Sequence, residues 1–401
     1  MNDAAVPVVM VSPLMCFLVG LLGALSATEL VRVAAVRLRA VDQPGGRRLH
    51  RRPTPRLGGI GIAWGFACSL AYLSWVSGHA GPLAHAAAQM TALLVGAAFM
   101  GAVGHADDRW GLPSSAKLAA CVAGALVLWA GGWRVDSIGL PGVGAWDVGA
   151  WSLPLTIMWV VLVTNAMNLI DGLDGLASGV ALVACIAVLL MPGAGAAERA
   201  VAVALAGALL GFLWFNLNPA LIFMGDAGSL FTGFVLAALA LHAPAGAAPG
   251  WFPVVPALAL AVPLADTLHA IGRRLLAAAR EADSPWAFVR SAPRRMFTAD
   301  RGHVHHLLQA AGWSPRRAAA LLWAAALSFG IAACLCVRAG LPGIAWLVVM
   351  VSAWSWVGWR VSLRLRRSPA TPEVLAPAPV SAFPALAEHA EEPAPDSARA
   401  A

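Results

Sequence analysis

The sequence predicts an all-α polytopic membrane protein with about eleven transmembrane helices, its N-terminus outside and its C-terminus in the cytoplasm. Two observations support this fold class: 60% of the 401 residues are apolar, and only 12% are charged. A typical soluble domain is about one quarter charged. The apolar residues form runs over most of the chain, which excludes a soluble domain with a single membrane anchor.

The apolar runs define the predicted spans. A bilayer core of about 30 Å requires about 20 apolar residues per helix. Spans are therefore predicted at 7–29, 57–78, 89–106, 116–133, 151–169, 174–192, 199–216, 228–243, 251–271, 318–337 and 342–361. Basic residues begin after the first run, at Arg32, which favours a retained first helix over a cleaved signal peptide.

Two regions of different composition follow from these spans. Residues 1–365 are predicted to form the transmembrane domain with cytoplasmic catalytic loops. Residues 366–401 are rich in Pro, Ala and Glu and have few large apolar side chains, so we expect a disordered cytoplasmic tail.

The basic residues predict the orientation. All but three of the 27 Lys and Arg residues lie near the gaps after spans 1, 3 and 9 or near the C-terminus. The exceptions are Arg134, Arg199 and Arg338. Because cytoplasmic loops are enriched in Lys and Arg, the gaps after spans 1, 3 and 9 are predicted to be cytoplasmic. The same distribution explains the net charge of +7 without nucleic acid as a partner.

Four polar clusters border the apolar runs on the predicted cytoplasmic side. They contain Asp107, Asp108 and Lys117; Asn168, Asp171 and Asp174; Asp226 in a glycine-rich turn; and Arg301, His303, His305 and His306. Carboxylate and amide oxygens suit Mg²⁺, with Mn²⁺ as an alternative, and cations neutralise phosphoryl oxygens. Lys117 is the sole lysine in a chain that otherwise uses arginine, which favours a specific need for a compact ammonium. Together the clusters predict a phosphate-transfer site.

Each cluster taken alone has a plainer explanation. The adjacent pair Asp107 and Asp108 could lie in a solvated loop or cap a helix. The pair Asp171 and Asp174 would share a helix face, or could cap a glycine turn, and Asp226 could simply form a turn. The histidines are compatible with a metal site, a phosphate clamp or a solvated loop. All four clusters on one side of the membrane favour a shared site, because charge at membrane depth is costly.

Six stretches, in this order, resemble the motifs of the polyprenyl-phosphate N-acetylhexosamine-1-phosphate transferases, glycosyltransferase family 4. They are VDQPGGRRLHRRPTPRLGGIGI, DDRWGLPSSAKL, NAMNLIDGLDGLASG, FNLNPALIFMGDAGSLFTGF, PLADTLHAIGRR and FTADRGHVHHLL. The resemblance covers about residues 41–312. The HVHHLL stretch favours the WecA/TagO-like branch over the peptidoglycan-precursor branch.

The resemblance implies roles for individual residues. Asp107 and Asp108 match the catalytic aspartates that activate the lipid phosphate, and Asp226 and Asn168 match metal ligands. Asp266 is expected to be structural. The nucleotide and pyrophosphate would contact Lys117, Asp171, Asp174, Arg301, His303, His305 and His306, of which the lysine, the arginine and the histidines would form a cationic cradle. A lipid-phosphate site is expected at Arg47, Arg48 and His50.

The resemblance also implies a reaction: an N-acetylhexosamine-1-phosphate, most simply GlcNAc-1-phosphate, passes from a UDP-sugar to undecaprenyl phosphate and UMP leaves. UDP-linked N-acetylfucosamine, N-acetylquinovosamine or MurNAc-pentapeptide are alternative donors. We expect a multi-pass protein of the bacterial inner membrane, a cytoplasmic site, a role in O-antigen or other surface glycans, and a homodimer by analogy. Direct attack by the lipid phosphate is favoured over a phosphoryl-aspartyl intermediate. A transporter and an inactive lipid-binding scaffold are the remaining alternatives.

Overall fold

In a computed structural model the chain forms a bundle of long helices. The residues that the structure describes are 13–38, 41–42, 53–78, 83, 86–140, 144–191, 194–241, 254–286, 288–290, 302–339 and 341–366. Arg47, Arg48, His50 and Arg301 lie outside these ranges, as does the expected tail beyond residue 366.

Helices make up most of the described chain. In chain order they are α1 (Pro13–Arg37), α2 (Gly58–Ser77), α3 (Ala87–Trp110), α4 (Ser114–Ala130), α5 (Ser152–Ile170), α6 (Leu176–Leu190), α7 (Ala196–Asn216), α8 (Gly225–Leu241), α9 (Val254–Ala259), α10 (Ala261–Glu281), α11 (Val304–Ala310), α12 (Pro315–Ala339) and α13 (Leu341–Arg366). Two antiparallel strand pairs accompany them: β1 (Val41–Asp42) with β2 (Thr54–Pro55), and β3 (Ser137–Leu140) with β4 (Gly144–Asp147).

The helices confirm an all-α polytopic membrane protein. Six of the described helices, namely α1, α2, α3, α5, α7 and α12, are long and apolar enough to cross a membrane. The helices α4, α6 and α8 are also apolar but shorter. Each predicted span overlaps a helix, while the total of eleven spans and their orientation remain predictions. Neither strand pair is predicted by the sequence, because strands of two to four residues are too short to show a period.

The boundaries of α3 place the first polar cluster differently from the prediction. The third span was predicted to end at 106, but α3 continues to Trp110 and ends at Gly111, whose φ of 67° is left-handed. A glycine adopts this conformation without a steric penalty and commonly terminates a helix. Asp107 and Asp108 therefore lie on the last helical turn rather than in a loop.

The predicted ninth span is two helices rather than one. The break falls at Leu260, between α9 and α10. Pro263 follows three residues later, and a proline lacks the N–H that would bond to the carbonyl of Ala259. Helix α10 begins after this break, and Asp266 on α10 faces the segment that contains His303 and His305.

The centre of the bundle is formed by α7 and α8. Most residues of α7 are buried, and every residue of α8 except Asp226 is buried. Helix α8 packs against α3 and α5, whereas α7 packs against α1, α2 and α6. A helix that is apolar on all sides is stable only inside a protein or a membrane. Asp226, which is partly exposed, is thus the one residue of α8 whose side chain a ligand can reach.

Glycines allow the helices to approach α8 closely at its first turn. A Cβ on Gly104 of α3 would overlap the backbone carbonyl of Asp226. A Cβ on Gly59 of α2 would overlap the backbone of Gly228. Small residues at such contacts are typical of helix packing in lipid. They bring the starts of α2 and α8 and the end of α3 to one place.

Candidate active site

Lys117 joins two carboxylates from different helices. Its Nζ lies 2.6 Å from Asp107 Oδ2 and 3.3 Å from Asp226 Oδ2. The other oxygen of Asp107 accepts a hydrogen bond from the N–H of Leu112 at 2.6 Å. The side chain of Asp107 is only 8% exposed, but that of Asp226 is 33% exposed and can therefore still reach a ligand. The end of α3 and the starts of α4 and α8 thus share one cation.

Asp108 fixes the start of α8. Its Oδ1 accepts the backbone N–H of Asp226 and its Oδ2 accepts that of Ala227, both at 3.0 Å. The first N–H groups of a helix have no partner within the helix and attract negative charge. Because both oxygens of Asp108 are used in this way, this residue holds Asp226 in place.

The chain segment that enters α2 is attached to the same turn. The N–H groups of Gly58 and Gly59 donate to the carbonyls of Phe223 and Met224 at 3.0 and 2.9 Å, and Phe223 N–H donates to Pro55 at 2.8 Å. Between them lies the exposed residue Arg56, an arginine that the sequence analysis did not assign to the site.

Asn168 lies at the end of α5, opposite α8. Its side-chain Nδ2 donates to Ser229 Oγ at 2.9 Å. The hydroxyl of Ser229 in turn lies 3.5 Å from the carbonyl of Asp226. The amide is therefore oriented by α8, and its Oδ1 is left to accept or ligate.

The second cluster lies in a turn, not on a helix. Helix α5 ends at Ile170, so the expectation that Asp171 and Asp174 share a helix face was wrong. Oδ2 of Asp174 accepts Asn218 Nδ2 at 2.8 Å and the N–H of Ala220 at 3.0 Å, which ties the turn to the loop before α8. Gly175, which follows Asp174 and precedes α6, has a left-handed φ of 75°, which a glycine adopts without a steric penalty.

Asp171 lies near the charges of Asp226, Asp108 and Arg56. Within the described ranges it has no hydrogen-bond donor, in contrast to Asp174. Burial raises the pKa of Asp171 well above its ordinary value, and the negative charges of Asp226 and Asp108 raise it further. Arg56 acts in the opposite direction. The region therefore has an excess of negative charge that an added cation would neutralise.

The histidine segment is anchored by Asp266 of α10. Oδ2 of Asp266 lies 2.8 Å from His303 Nδ1, and its Oδ1 accepts the N–H of Val304 at 2.7 Å. The expected structural role of Asp266 is consistent with this contact, since it orients a predicted site residue. Its partner lies 37 residues away in the chain, so no local pattern could have identified the pairing.

His305 does not fit the expected cationic cradle. It is 1% exposed, and neither ring nitrogen has a hydrogen-bond partner in the described part of the chain. Burial lowers the pKa of His305 to about 3, helped by the neighbouring His306. Burial therefore favours the neutral ring in this structure, and a binding role for His305 stays a prediction. For His306, whose ring centroid lies 4.2 Å from that of His305, and for His303, a binding role stays a prediction.

Contact between the second and fourth clusters is made through Gly172. A Cβ on Gly172 would overlap the imidazole of His305. The histidine segment therefore packs directly beside Asp171. Contacts now join all four clusters in a chain: Lys117 to Asp226, Asn168 through Ser229 to Asp226, and His305 to the turn that bears Asp171.

Comparison with known proteins identifies the family. Residues 90–243 match the model of glycosyl transferase family 4. The chain is 33% identical over 327 residues to a probable undecaprenyl-phosphate N-acetylglucosaminyl 1-phosphate transferase of Bacillus subtilis (strain 168), covering 81% of this chain and 85% of the relative. The chain belongs to glycosyl transferase family 4, the polyprenyl-phosphate N-acetylhexosamine-1-phosphate transferases.

Two further relatives show how the similarity is distributed. A decaprenyl-phosphate N-acetylglucosaminephosphotransferase of Mycobacterium tuberculosis (strain ATCC 25618 / H37Rv) is 36% identical over 344 residues, covering 79% of this chain and 81% of the relative. A phospho-N-acetylmuramoyl-pentapeptide-transferase of Heliobacterium modesticaldum (strain ATCC 51547 / Ice1) is 36% identical over 197 residues, covering 48% and 55%. The family match begins at the fourth residue of α3 and ends two residues beyond α8.

The donor set of this glycosyl transferase fits a divalent cation that is shared with substrate. Within the described ranges, no three His, Cys, Asp or Glu side chains form a group that could hold a metal alone. Mg²⁺ usually takes only one or two carboxylates and completes its shell with phosphates and water. The accessible carboxylate of Asp226, the unbonded carboxylate of Asp171 and Oδ1 of Asn168 meet that requirement. Asp171 was expected only in the nucleotide pocket, and its missing hydrogen bonds are the reason to add it here.

Proposed function

We propose that this protein transfers GlcNAc-1-phosphate from UDP-GlcNAc to undecaprenyl phosphate, releasing UMP and forming undecaprenyl-pyrophosphoryl-GlcNAc. The observation that supports this most is the position of Lys117, which bonds Asp107 and Asp226 at 2.6 and 3.3 Å on the turn that Asp108 fixes. The names of relatives that share about four fifths of the chain supply the substrates: a polyprenyl phosphate and an N-acetylglucosamine phosphate.

The two aspartates at the end of α3 have different tasks in this proposal. Asp108 is a positioning residue, because both of its oxygens bind backbone N–H groups of α8. Asp107 is the candidate base: when Lys117 moves toward the pyrophosphate, Oδ2 of Asp107 loses its bond to the ammonium and can accept a proton. It removes the remaining proton of the lipid phosphate, whose second pKa is near 6, so that a phosphate oxygen attacks the β-phosphorus of the UDP-sugar directly. Little basicity is required, which favours this route over a phosphoryl-aspartyl intermediate.

Lys117 and the metal ligands stabilise charge on the transferred group. The ammonium lies between two carboxylates and would move toward the oxygens of the pyrophosphate as the bond to UMP breaks. Mg²⁺, held by Asp226, Asp171 and Asn168 Oδ1, would supply further neutralisation of the pyrophosphate charge. Because a phosphoanhydride is both broken and formed, we expect an equilibrium constant near unity.

The choice of sugar rests on the extent of the similarity. Relatives named for N-acetylglucosamine transfer match about four fifths of the chain, whereas the MurNAc-pentapeptide relative matches about half. UDP-GlcNAc is therefore the first donor to test, ahead of UDP-N-acetylfucosamine, UDP-N-acetylquinovosamine and UDP-MurNAc-pentapeptide. The product would begin an O-antigen or another surface glycan at the cytoplasmic face of the inner membrane.

The test is a UMP-release assay on the purified full-length protein with undecaprenyl phosphate, Mg²⁺ and this panel of UDP-sugars. We expect turnover with UDP-GlcNAc, loss of turnover in Asp226→Asn, and none of that loss in the control Asp136→Asn. Asp136 is suitable because it is exposed and pairs with Arg134, outside all four clusters. No UMP from any donor, or an active Asp226→Asn protein, would refute the proposal.

A further inference from the structure

The side chain of Asp174 keeps one oxygen available for a ligand. Its Oδ2 accepts both hydrogen bonds described above, from Asn218 Nδ2 at 2.8 Å and from the N–H of Ala220 at 3.0 Å. Its Oδ1 has no hydrogen-bond donor among the residues that the structure describes, and the residue is partly exposed. An ionised carboxylate only accepts hydrogen bonds, so a ligand at Oδ1 has to bring an N–H or O–H group.

Of the two substrates in the proposed function, the nucleotide sugar carries such groups. UDP-GlcNAc has N–H groups and several hydroxyls, whereas the polar end of undecaprenyl phosphate is a phosphate that is mostly ionised at neutral pH and is repelled by a carboxylate. Asp174 also lies close to the other acidic side chains: besides burial and the charges of Asp226 and Asp108, its charge raises the pKa of Asp171. Oδ1 of Asp174 is therefore suited to the nucleotide sugar.

The direction of this carboxylate depends on Asn218 in the loop before α8. The amide of Asn218 donates to Asp174, and its backbone carbonyl accepts a hydrogen bond from Arg316 Nε at 2.8 Å. Arg316 is the second residue of α12 and is exposed. The three residues thus form a hydrogen-bonded chain that runs from the start of α12 to the carboxylate of Asp174.

Helix α12 is attached to α6 independently of Arg316. Trp323, seven residues after Arg316, lies against α6, and a Cβ on Gly179 would overlap its indole. The indole Nε1 also donates to the carbonyl of Leu176 at 3.4 Å. Because this packing does not involve the arginine, loss of the guanidinium should leave α12 in place and release only Asn218.

A second asparagine of the same loop has a different task. Asn216 is 3% exposed, its Oδ1 accepts the N–H of Gly175 at 3.0 Å, and its Nδ2 donates to the carbonyl of Ile222 at 3.0 Å. Both partners are backbone groups. Asn216 therefore fixes the backbone of the turn, whereas Asn218 orients the side chain of Asp174.

We propose that Arg316 is a positioning residue for the nucleotide sugar, because it fixes Asn218, which in turn aims Oδ1 of Asp174 at UDP-GlcNAc. This inference rests on the proposed function and adds to it a residue that lies outside the four clusters. Arg316 acts through a hydrogen bond to a carbonyl rather than through its charge. An uncharged hydrogen-bond donor at the same place should therefore suffice.

Two substitutions of Arg316 separate the hydrogen bond from the charge. The amide nitrogen of a glutamine occupies the same place along the side chain as Nε of an arginine, so Arg316→Gln keeps a donor and loses the charge. Arg316→Met keeps a stem of similar length and loses both. We expect Arg316→Met to raise the KM for UDP-GlcNAc about fivefold and Arg316→Gln to stay within about twofold of the wild type. In both variants kcat and the KM for undecaprenyl phosphate should not change, because only binding of the nucleotide sugar is affected.

A double-mutant cycle tests whether Arg316 acts through Asn218. Asn218→Ala should raise the KM for UDP-GlcNAc about tenfold, because Asp174 then loses one of its two hydrogen-bond donors. Adding Arg316→Met to this variant should change nothing further, since no amide is left to position. Additive increases in KM would show that Arg316 contributes by another route and would overturn the inference.

The neighbouring arginine provides the matched control. Arg317 is exposed on the same helical turn, and its side chain has no partner in the described chain, so Arg317→Met should keep the KM values of the wild type. Because KM does not depend on the amount of folded enzyme, a lower yield alone cannot imitate the expected result.

The outcomes distinguish this inference from the proposed function. If the wild type releases UMP but Arg316→Met has the same KM for UDP-GlcNAc as Arg317→Met, the inference is refuted and the proposed function stands. The same holds if Arg316→Gln is as impaired as Arg316→Met, since the charge would then be what matters. Absence of UMP release by the wild type with every nucleotide sugar refutes the proposed function and, with it, this inference.

Discussion

The two sides of the candidate site are built from different forces. The carboxylate side, consisting of Asp107, Asp108, Lys117 and Asp226, is held by ion pairs and by hydrogen bonds to charged oxygens. The histidine side, consisting of Asp266, His303, His305 and Gly172, is held by close packing and by one buried carboxylate. Under the proposed function, the carboxylate side would supply charge to the reaction, whereas the histidine side would fix the shape of the pocket.

The largest expected effect is at the centre of the carboxylate side. Lys117→Ala should reduce UMP release by about 10³-fold, because loss of one preorganised donor to developing negative charge typically costs two to three orders of magnitude. Lys117→Arg should recover little, since a planar guanidinium does not fit where Nζ contacts two carboxylate oxygens. Initial rates in detergent check this, with the monodisperse fraction as the folding control. Recovery to near wild-type activity in Lys117→Arg would show that charge alone suffices.

A backbone change tests the shape of the histidine side. Gly172→Ala should lower turnover by about 10²-fold, because the new Cβ would displace the His305 ring and a shift near 1 Å at a site can cost that much. The matched control is Gly330→Ala, whose Cβ would meet Ala187 at an ordinary 3.5 Å. Equal rates for the two variants would contradict a close contact between the histidine segment and the Asp171 turn.

A smaller effect is expected from the anchor of that segment. Asp266→Asn keeps the volume but can accept from only one of the two donors, so we expect about a tenfold loss in kcat. The loss should appear in the kcat of the folded fraction, because His303 loses the carboxylate that orients it. A variant with lower yield but an unchanged kcat would make Asp266 a folding residue only.

The smallest effect is on stability and concerns His305. Its pKa of about 3 in the folded protein lies below the ordinary value near 6.5, so the unfolded state binds more protons between these values. The free energy of unfolding is therefore highest above pH 6.5. It decreases as the pH falls from 6.5 toward 3, by at most about 1.4 kcal/mol per pH unit. His305→Gln should weaken the decline in apparent Tm between pH 7 and pH 5. An unchanged decline would argue for a solvated, titrating imidazole.

The sequence predicted the elements of the site better than their connections. Apolar runs located every helix except the short α11, although they merged α9 and α10 into one span. Local motifs identified Asp107, Lys117 and Asp226 without any contact being known. Long-range pairings, such as Asp266 with His303 or Asp108 with the start of α8, leave no periodic pattern in the chain. The charge of His305 could not be predicted either, because it depends on burial by the turn at Gly172.

Neighbouring residues of one motif also proved to differ. Asp171 and Asp174 are three residues apart, and the sequence alone does not distinguish their roles. In the structure Asp174 is used by the loop before α8, whereas Asp171 has no donor in the described chain. Only the fold around Gly175 decides which of the two faces the polar region.

The proposal that Asp171 and Asp226 share one divalent cation can be tested most directly by metal-directed cleavage. Fe²⁺ would replace Mg²⁺ in the purified protein with UDP-GlcNAc, and hydroxyl radicals produced with ascorbate and peroxide would cut the backbone near the ion. We predict cuts next to Asp171 and Asp226, absent in Asp226→Asn and suppressed by excess Mg²⁺. Cuts at only one of these positions, or cuts that persist in Asp226→Asn, would contradict a single shared cation.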